Sequence, residues 1–145
     1  MEWAGPITID ELLDCAFDSD IPRPPLEPSV YVVSLDSWEV EPTADGNVLY
    51  VGSLTSPAPR FRTRIGDLVA DLFGFFGETG KKGHHSGAQT MHKYCLENGI
   101  NPRKLFIGWA LEVECHRCAE NTLYDVLEPR LNKVRPSACR KHRSA

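Results

Sequence analysis

The chain has no run approaching the roughly 20 apolar residues that span a bilayer, and its first residues are acidic where a secretory leader would be basic. The expectation is a cytoplasmic protein with no membrane partner. Positive charge is almost missing from the first third, where residues 1–49 hold eleven acidic side chains against the single Arg23. Cysteine is sparse and odd in number, five in 145 residues, so thiols or metal ligands are expected rather than a disulfide framework. No internal repeat divides the chain.

What is present is enough for one core. With 41% hydrophobic residues, a single domain with a short appendage is the natural organisation. The overall net charge of −4 conceals a basic body, because residues 50–145 carry 15 basic against 9 acidic side chains. An acidic leader on a basic body is compatible with a polyanionic partner for the body.

"TIDELLDCAF" offers Thr8 as an N-cap, acids in the first turn and apolar residues at Ile9, Leu12, Leu13 and Phe17, the pattern of a short amphipathic helix. The four prolines of "IPRPPLEP" stop it and favour an extended connector. "VYVVSL" and "NVLYVG" read as strands joined across an Asp45-Gly46 turn signal, a hairpin with a long loop. "RFRTRIGDLVADLF" then sets Phe61, Ile65, Leu68, Val69 and Leu72 at helical spacing, with Arg60, Arg62 and Arg64 near the first turn. Cations there oppose the helix dipole, so the arrangement points to an anion nearby.

"GFFGETGKKGHHSG" holds five glycines and reads as a mobile basic loop. "SGAQTMHKYCLENG" reads as a helix closed by Gly99, "KLFIGWALEVE" as a strand, and "CAENTLYDVLEPRLN" as a last helix halted by Pro129. The residues after 133 look like a basic, poorly ordered tail.

The order of these signals resembles the GIY-YIG nuclease superfamily over residues 28–133, closest by spacing to its restriction- and homing-endonuclease-like branches. The pair of strands carries Ser29-Val30-Tyr31 in place of Gly-Ile-Tyr, and Tyr50-Val51-Gly52. The resemblance implies a small α/β (α+β) fold: a short antiparallel or mixed three-stranded sheet flanked by helices. Its domains would be an acidic N-terminal helix and linker (1–27), the nuclease domain (28–133) and the tail (134–145).

The resemblance further implies metal-dependent DNA hydrolysis. Tyr31 and Tyr50 would help deprotonate water, which a phenol of pKa about 10 does only beside a cation. The family's arginine pattern selects Arg64, with Arg60 the rival by its distance from Tyr50; Leu68 stands where the family often has His or Tyr. His85 of "GHHSG" would hold the scissile phosphate or shuttle a proton. Glu120 matches the single metal-binding carboxylate, a site suited to Mg²⁺ or Mn²⁺ completed by substrate oxygens and water. Asn132 matches the terminal asparagine, a substrate or backbone contact. Arg60, Arg62, Lys81 and Lys82 would neutralise DNA phosphates.

Two competitors stand beside this reading. Cys115-x-x-Cys118 with Cys139-x-x-His142 has zinc-ligand spacing, ranked behind magnesium because the last two residues fall in a tail with little to fix them. A non-catalytic domain that keeps the fold and binds nucleic acid or protein is the alternative from another class. One active site cuts one strand at a time, so double-strand cleavage would call for a homodimer, consecutive nicks or rebinding.

Overall fold

The computed structural model describes residues 1–15, 17–53, 61–74 and 85–141. Four strands, β1 (Glu2–Thr8), β2 (Val30–Ser34), β3 (Val48–Ser53) and β4 (Phe106–Leu111), form one antiparallel sheet in the order β1-β4-β2-β3. With them run four α-helices: α1 (Ile9–Leu13), α2 (Phe61–Leu72), α3 (Ser86–Asn98) and α4 (His116–Leu127). The α+β class is as expected, but the sheet has four strands instead of three.

The additional strand is β1, within an N-terminal extension expected to be helical. "EWAGPIT" hides its strand character behind a Gly-Pro pair, and the ladder to β4 is irregular between Ala4 and Ile7, across that pair. An edge position tolerates this, because Pro lacks only the donor that a neighbour on one side would need. Thr8 then ends the strand and caps α1, with its Oγ1 accepting from the Glu11 amide at 3.1 Å and Glu11 reaching back to the Thr8 amide.

The strands alternate between two cores, one on each face of the sheet. Tyr31, Val33, Ile107 and Trp109 pack with Ile65, Leu68 and Leu72 of α2 and with Ala88, Met91 and Cys95 of α3. Val30, Val32, Val48, Val51 and Ala110 pack with Ala119, Leu123 and Leu127 of α4 and with Trp38. A bulge breaks the alternation in β3: Val33 pairs with Tyr50 but Ser34 pairs with Val48, leaving Leu49 as an extra residue. Leu49 consequently faces the same core as Tyr31, beside Tyr50, which reaches that core through its pairing with Val33.

Candidate active site

The site forms where the α2–α3 layer meets the hairpin. Tyr31 lies opposite Gly52 in the β2–β3 register, and the Tyr31 and Tyr50 rings sit 6.1 Å apart between centroids. His85 completes a triangle, 6.0 Å from the Tyr31 ring and 5.7 Å from that of Tyr50. Two glycines make this packing feasible. A Cβ on Gly52 would stand 2.4 Å from the Tyr31 hydroxyl, and one on Gly87 would stand 2.4 Å from Cζ of Tyr50, so both phenols rest on bare backbone.

His85, expected within a loop, is the N-cap of α3 and is fully buried. Its Nδ1 accepts from the Ala88 amide at 3.0 Å. Burial first, then the Arg64 charge, lower its pKa from 6.5 to about 3, against the opposing pull of Asp71. The ring is therefore neutral at pH 7 and carries its proton on Nε2, which hydrogen-bonds the Tyr31 hydroxyl. Asp71 fixes the other side of the cap: its carboxylate, 1% exposed, accepts from the His85 amide at 2.5 Å and from Gln89 Nε2 at 3.4 Å.

Asp71 escaped the sequence reading. The signal was an acid three residues after Leu68, on the stripe that buries Ile65, Leu68 and Leu72. Leu68, where the family often has His or Tyr, is core and has no exposed surface.

Arg64 is half-buried in the first turns of α2, and its charge acts on Tyr31, Tyr50 and His85 together. No acid occupies the first turn of that helix. The Tyr31 phenol is driven well above 10, by burial first and then by Tyr50, while Arg64 pulls it down. Tyr50 moves in the same direction for the same leading reason, opposed again by Arg64. Tyr50 is the less buried of the two, and it lines a cleft of 260 Å³ with Ser86, Gly87, Thr90, Asn132 and Lys133.

Glu120 comes from α4, in the layer on the opposite face, and still acts electrostatically on both tyrosines. Burial raises its pKa, with Ser53 and Arg117 drawing it down. The Ser53 hydroxyl, at the end of β3, is buried and close enough to influence that carboxylate, yet it makes no well-formed hydrogen bond among the described residues. The Glu120 carboxylate and the Ser53 hydroxyl are oxygen donors, the ligand type that Mg²⁺ and Mn²⁺ take, while the metal-ligand grouping among the described residues is Cys115, Cys118 and Cys139.

The remaining predicted residues divide. Asn132 lines the Tyr50 cleft but commits its amide to backbone: its Oδ1 accepts from the Val51 amide at 2.9 Å and its Nδ2 donates to the Val51 carbonyl at 2.8 Å. With Arg130 and Leu131 bonding Val48 and Leu49, it covers the outer edge of β3. Arg62 is exposed but spends its Nε on the Pro24 carbonyl at 2.8 Å, tying the proline connector to α2. Arg60, Lys81, Lys82 and His142 lie outside the described residues.

The tail, expected to be poorly ordered, docks on α4 as far as Cys139. Arg135 grips Asp125 through both nitrogens and lies 5.4 Å over the Tyr124 ring, and Asn121 donates to the Ser137 carbonyl at 2.9 Å. This brings Cys139 to Cys115 and Cys118. No helix among the described residues is long and apolar enough to cross a membrane. No protein-family model, curated protein or solved structure matches the chain.

Proposed function

We propose that the protein is a metal-dependent, cytoplasmic DNA endonuclease that hydrolyses phosphodiester bonds at the Tyr31, Tyr50, His85, Arg64 and Glu120 cluster. The observation that carries this reading is the gathering of two phenols and an imidazole in mutual ring contact with a guanidinium acting on all three.

Arg64 suits the developing charge on the phosphoryl oxygens, since charge stabilisation is usually the largest catalytic contribution. Tyr50, open to the cleft, orients the attacking water; its phenolate form, the one able to take a proton, is favoured by Arg64 and opposed by burial. His85 stays neutral and holds Tyr31 by donating from Nε2. Glu120 with Ser53 would hold Mg²⁺ or Mn²⁺, which when bound neutralises phosphate charge and acidifies a coordinated water. Basic residues of the body, with Arg60, Arg62, Lys81 and Lys82 as candidates, would meet the DNA backbone.

The near-complete burial of Tyr31 and the commitment of Asn132 to Val51 favour a second reading, a DNA-binding domain that does not cut. The experiment is cleavage of supercoiled plasmid and of labelled branched and linear DNAs with Mg²⁺ or Mn²⁺, comparing wild type with Glu120→Ala. Metal-dependent cutting lost in the variant supports the nuclease, and the product pattern separates nicking from double-strand breakage by a homodimer. No cutting of any substrate, with salt-sensitive binding in both proteins, overturns it in favour of the binding domain.

A further inference from the structure

Cys115, Cys118 and Cys139 come from two separate segments, and their sulfurs all lie within 4.8 Å of one another. Cys115 is the N-cap of α4, with its Sγ accepting from the Cys118 amide at 3.4 Å, so the first two thiols share one turn of backbone. Cys139 arrives on the tail that Arg135 and Asn121 hold against α4, and its Sγ is 3.5 Å from that of Cys115.

The spacing discriminates between chemistries. A disulfide needs about 2.05 Å between sulfurs, whereas a tetrahedral site with Zn–S bonds of about 2.3 Å separates its sulfurs by about 3.8 Å. The 3.5 Å contact is close to the edge of that tetrahedron. A disulfide would also use two thiols and leave the third stranded beside it. Cys115 and Cys118 line an open cleft of 820 Å³ with Glu2, Glu112 and Glu114, which gives an entry path and a negative field that attracts a cation.

We propose that Cys115, Cys118 and Cys139 form a zinc site that staples the C-terminal segment to the first turn of α4. The three thiols bind as thiolates and release their protons to solvent; no electron transfer is involved, and solvent or a nitrogen ligand completes the coordination. The consequence is local rigidity. Cys118 stands two residues before Glu120, so the cross-link fixes the turn that presents the carboxylate.

The probe is Co²⁺ titrated into the chelator-stripped, fully reduced full-length chain. The expected result is a thiolate-to-metal charge-transfer band with the intense ligand-field absorption of a tetrahedral site, saturating at one equivalent and reversed by Zn²⁺. Cys118→Ser and Cys139→Ser should weaken binding by more than about 100-fold, beyond what loss of an outer partner costs, while Cys15→Ser, outside the cluster, leaves it unchanged. Circular dichroism identifies any variant that fails to fold, and the wild-type spectrum alone then decides.

Weak octahedral absorption in the wild type, or a spectrum that survives Cys139→Ser in folded protein, overturns the site. So does recovery of Cys115 and Cys139 as a disulfide that resists alkylation in denatured protein. None of these readouts involves DNA, so their failure is distinguishable from failure of the nuclease reading.

Discussion

His85 Nε2 and the Tyr31 hydroxyl are hydrogen-bonded inside the core, with the opposite ring nitrogen of His85 already held by the Ala88 amide. The contact ties the start of α3 to β2, an inner strand of the sheet, and it fixes which atom is donor. The two tyrosines consequently differ in character: Tyr31 is locked beneath His85, and the Tyr50 hydroxyl takes no hydrogen-bond partner among the described residues.

That difference separates the effects of removing each hydroxyl. Tyr31→Phe should leave a buried imidazole N–H without an acceptor and cost about 1–3 kcal/mol of stability. Tyr50→Phe should cost less than about 1 kcal/mol but reduce metal-dependent cleavage by about 100-fold or more. Urea unfolding and plasmid cleavage on both variants check this; equal stability losses would show that the two phenols share one role.

His85 also sets a pH dependence of stability. With its pKa lowered from 6.5 to about 3 in the folded protein, the unfolded chain binds the extra proton between these values. Stability from this group is complete above pH 6.5 and falls as pH drops through the window, by on the order of 1 kcal/mol per pH unit. His85→Asn retains an N-cap acceptor without a titrating ring. Unfolding midpoints compared between pH 7 and pH 4 should fall less steeply in the variant; identical slopes would show that His85 is not neutral in the fold.

Gly52→Ala and Gly87→Ala should each force a tyrosine ring aside and cost about 1–3 kcal/mol as overpacking. Gly66, an exposed position in α2, has nothing within 4 Å of an added Cβ. Gly66→Ala should instead stabilise by about 0.5–1 kcal/mol through helix propensity. Thermal unfolding of the three variants tests whether the glycines at the tyrosines serve packing.

Asn132→Ala removes the two hydrogen bonds that close the edge of β3 at Val51 and should cost about 1–3 kcal/mol. Because Asn132 acts on backbone, Asn132→Asp should fail to rescue it: the carboxylate keeps the acceptor but turns a lone pair towards the Val51 carbonyl. Full stability in Asn132→Asp would refute the two-bond arrangement.

Much of the molecule was legible in one dimension. The periodicity of Ile65, Leu68 and Leu72, the alternation of Val30 to Val33 and the stops at Gly99 and Pro129 mark elements that form at those places, because each signal is local and needs no distant partner. Thr8 with Glu11 likewise announces a helix start within four residues. Tyr31, Tyr50, Arg64 and His85 were nameable only through the resemblance to a family motif, which supplies positions that local periodicity does not.

Tertiary structure decided what local signals do not contain. β1 exists because β4 offers it an unpaired edge, and nothing in a segment holding Gly5-Pro6 reports that edge. Leu49 joins Tyr50 on the face of Tyr31, and Val48 turns to the other core, only because the bulge at Leu49 shifts the period of β3 by one residue. Asp71 becomes a partner of His85, and Cys139 a neighbour of Cys115, through contacts 14 and 24 residues apart in the chain. The sequence by itself determined the elements other than β1 and which side chains have the chemistry for a site; pairing, bulge and docked tail decided which of them meet, because contact between distant residues depends on packing that no local pattern records.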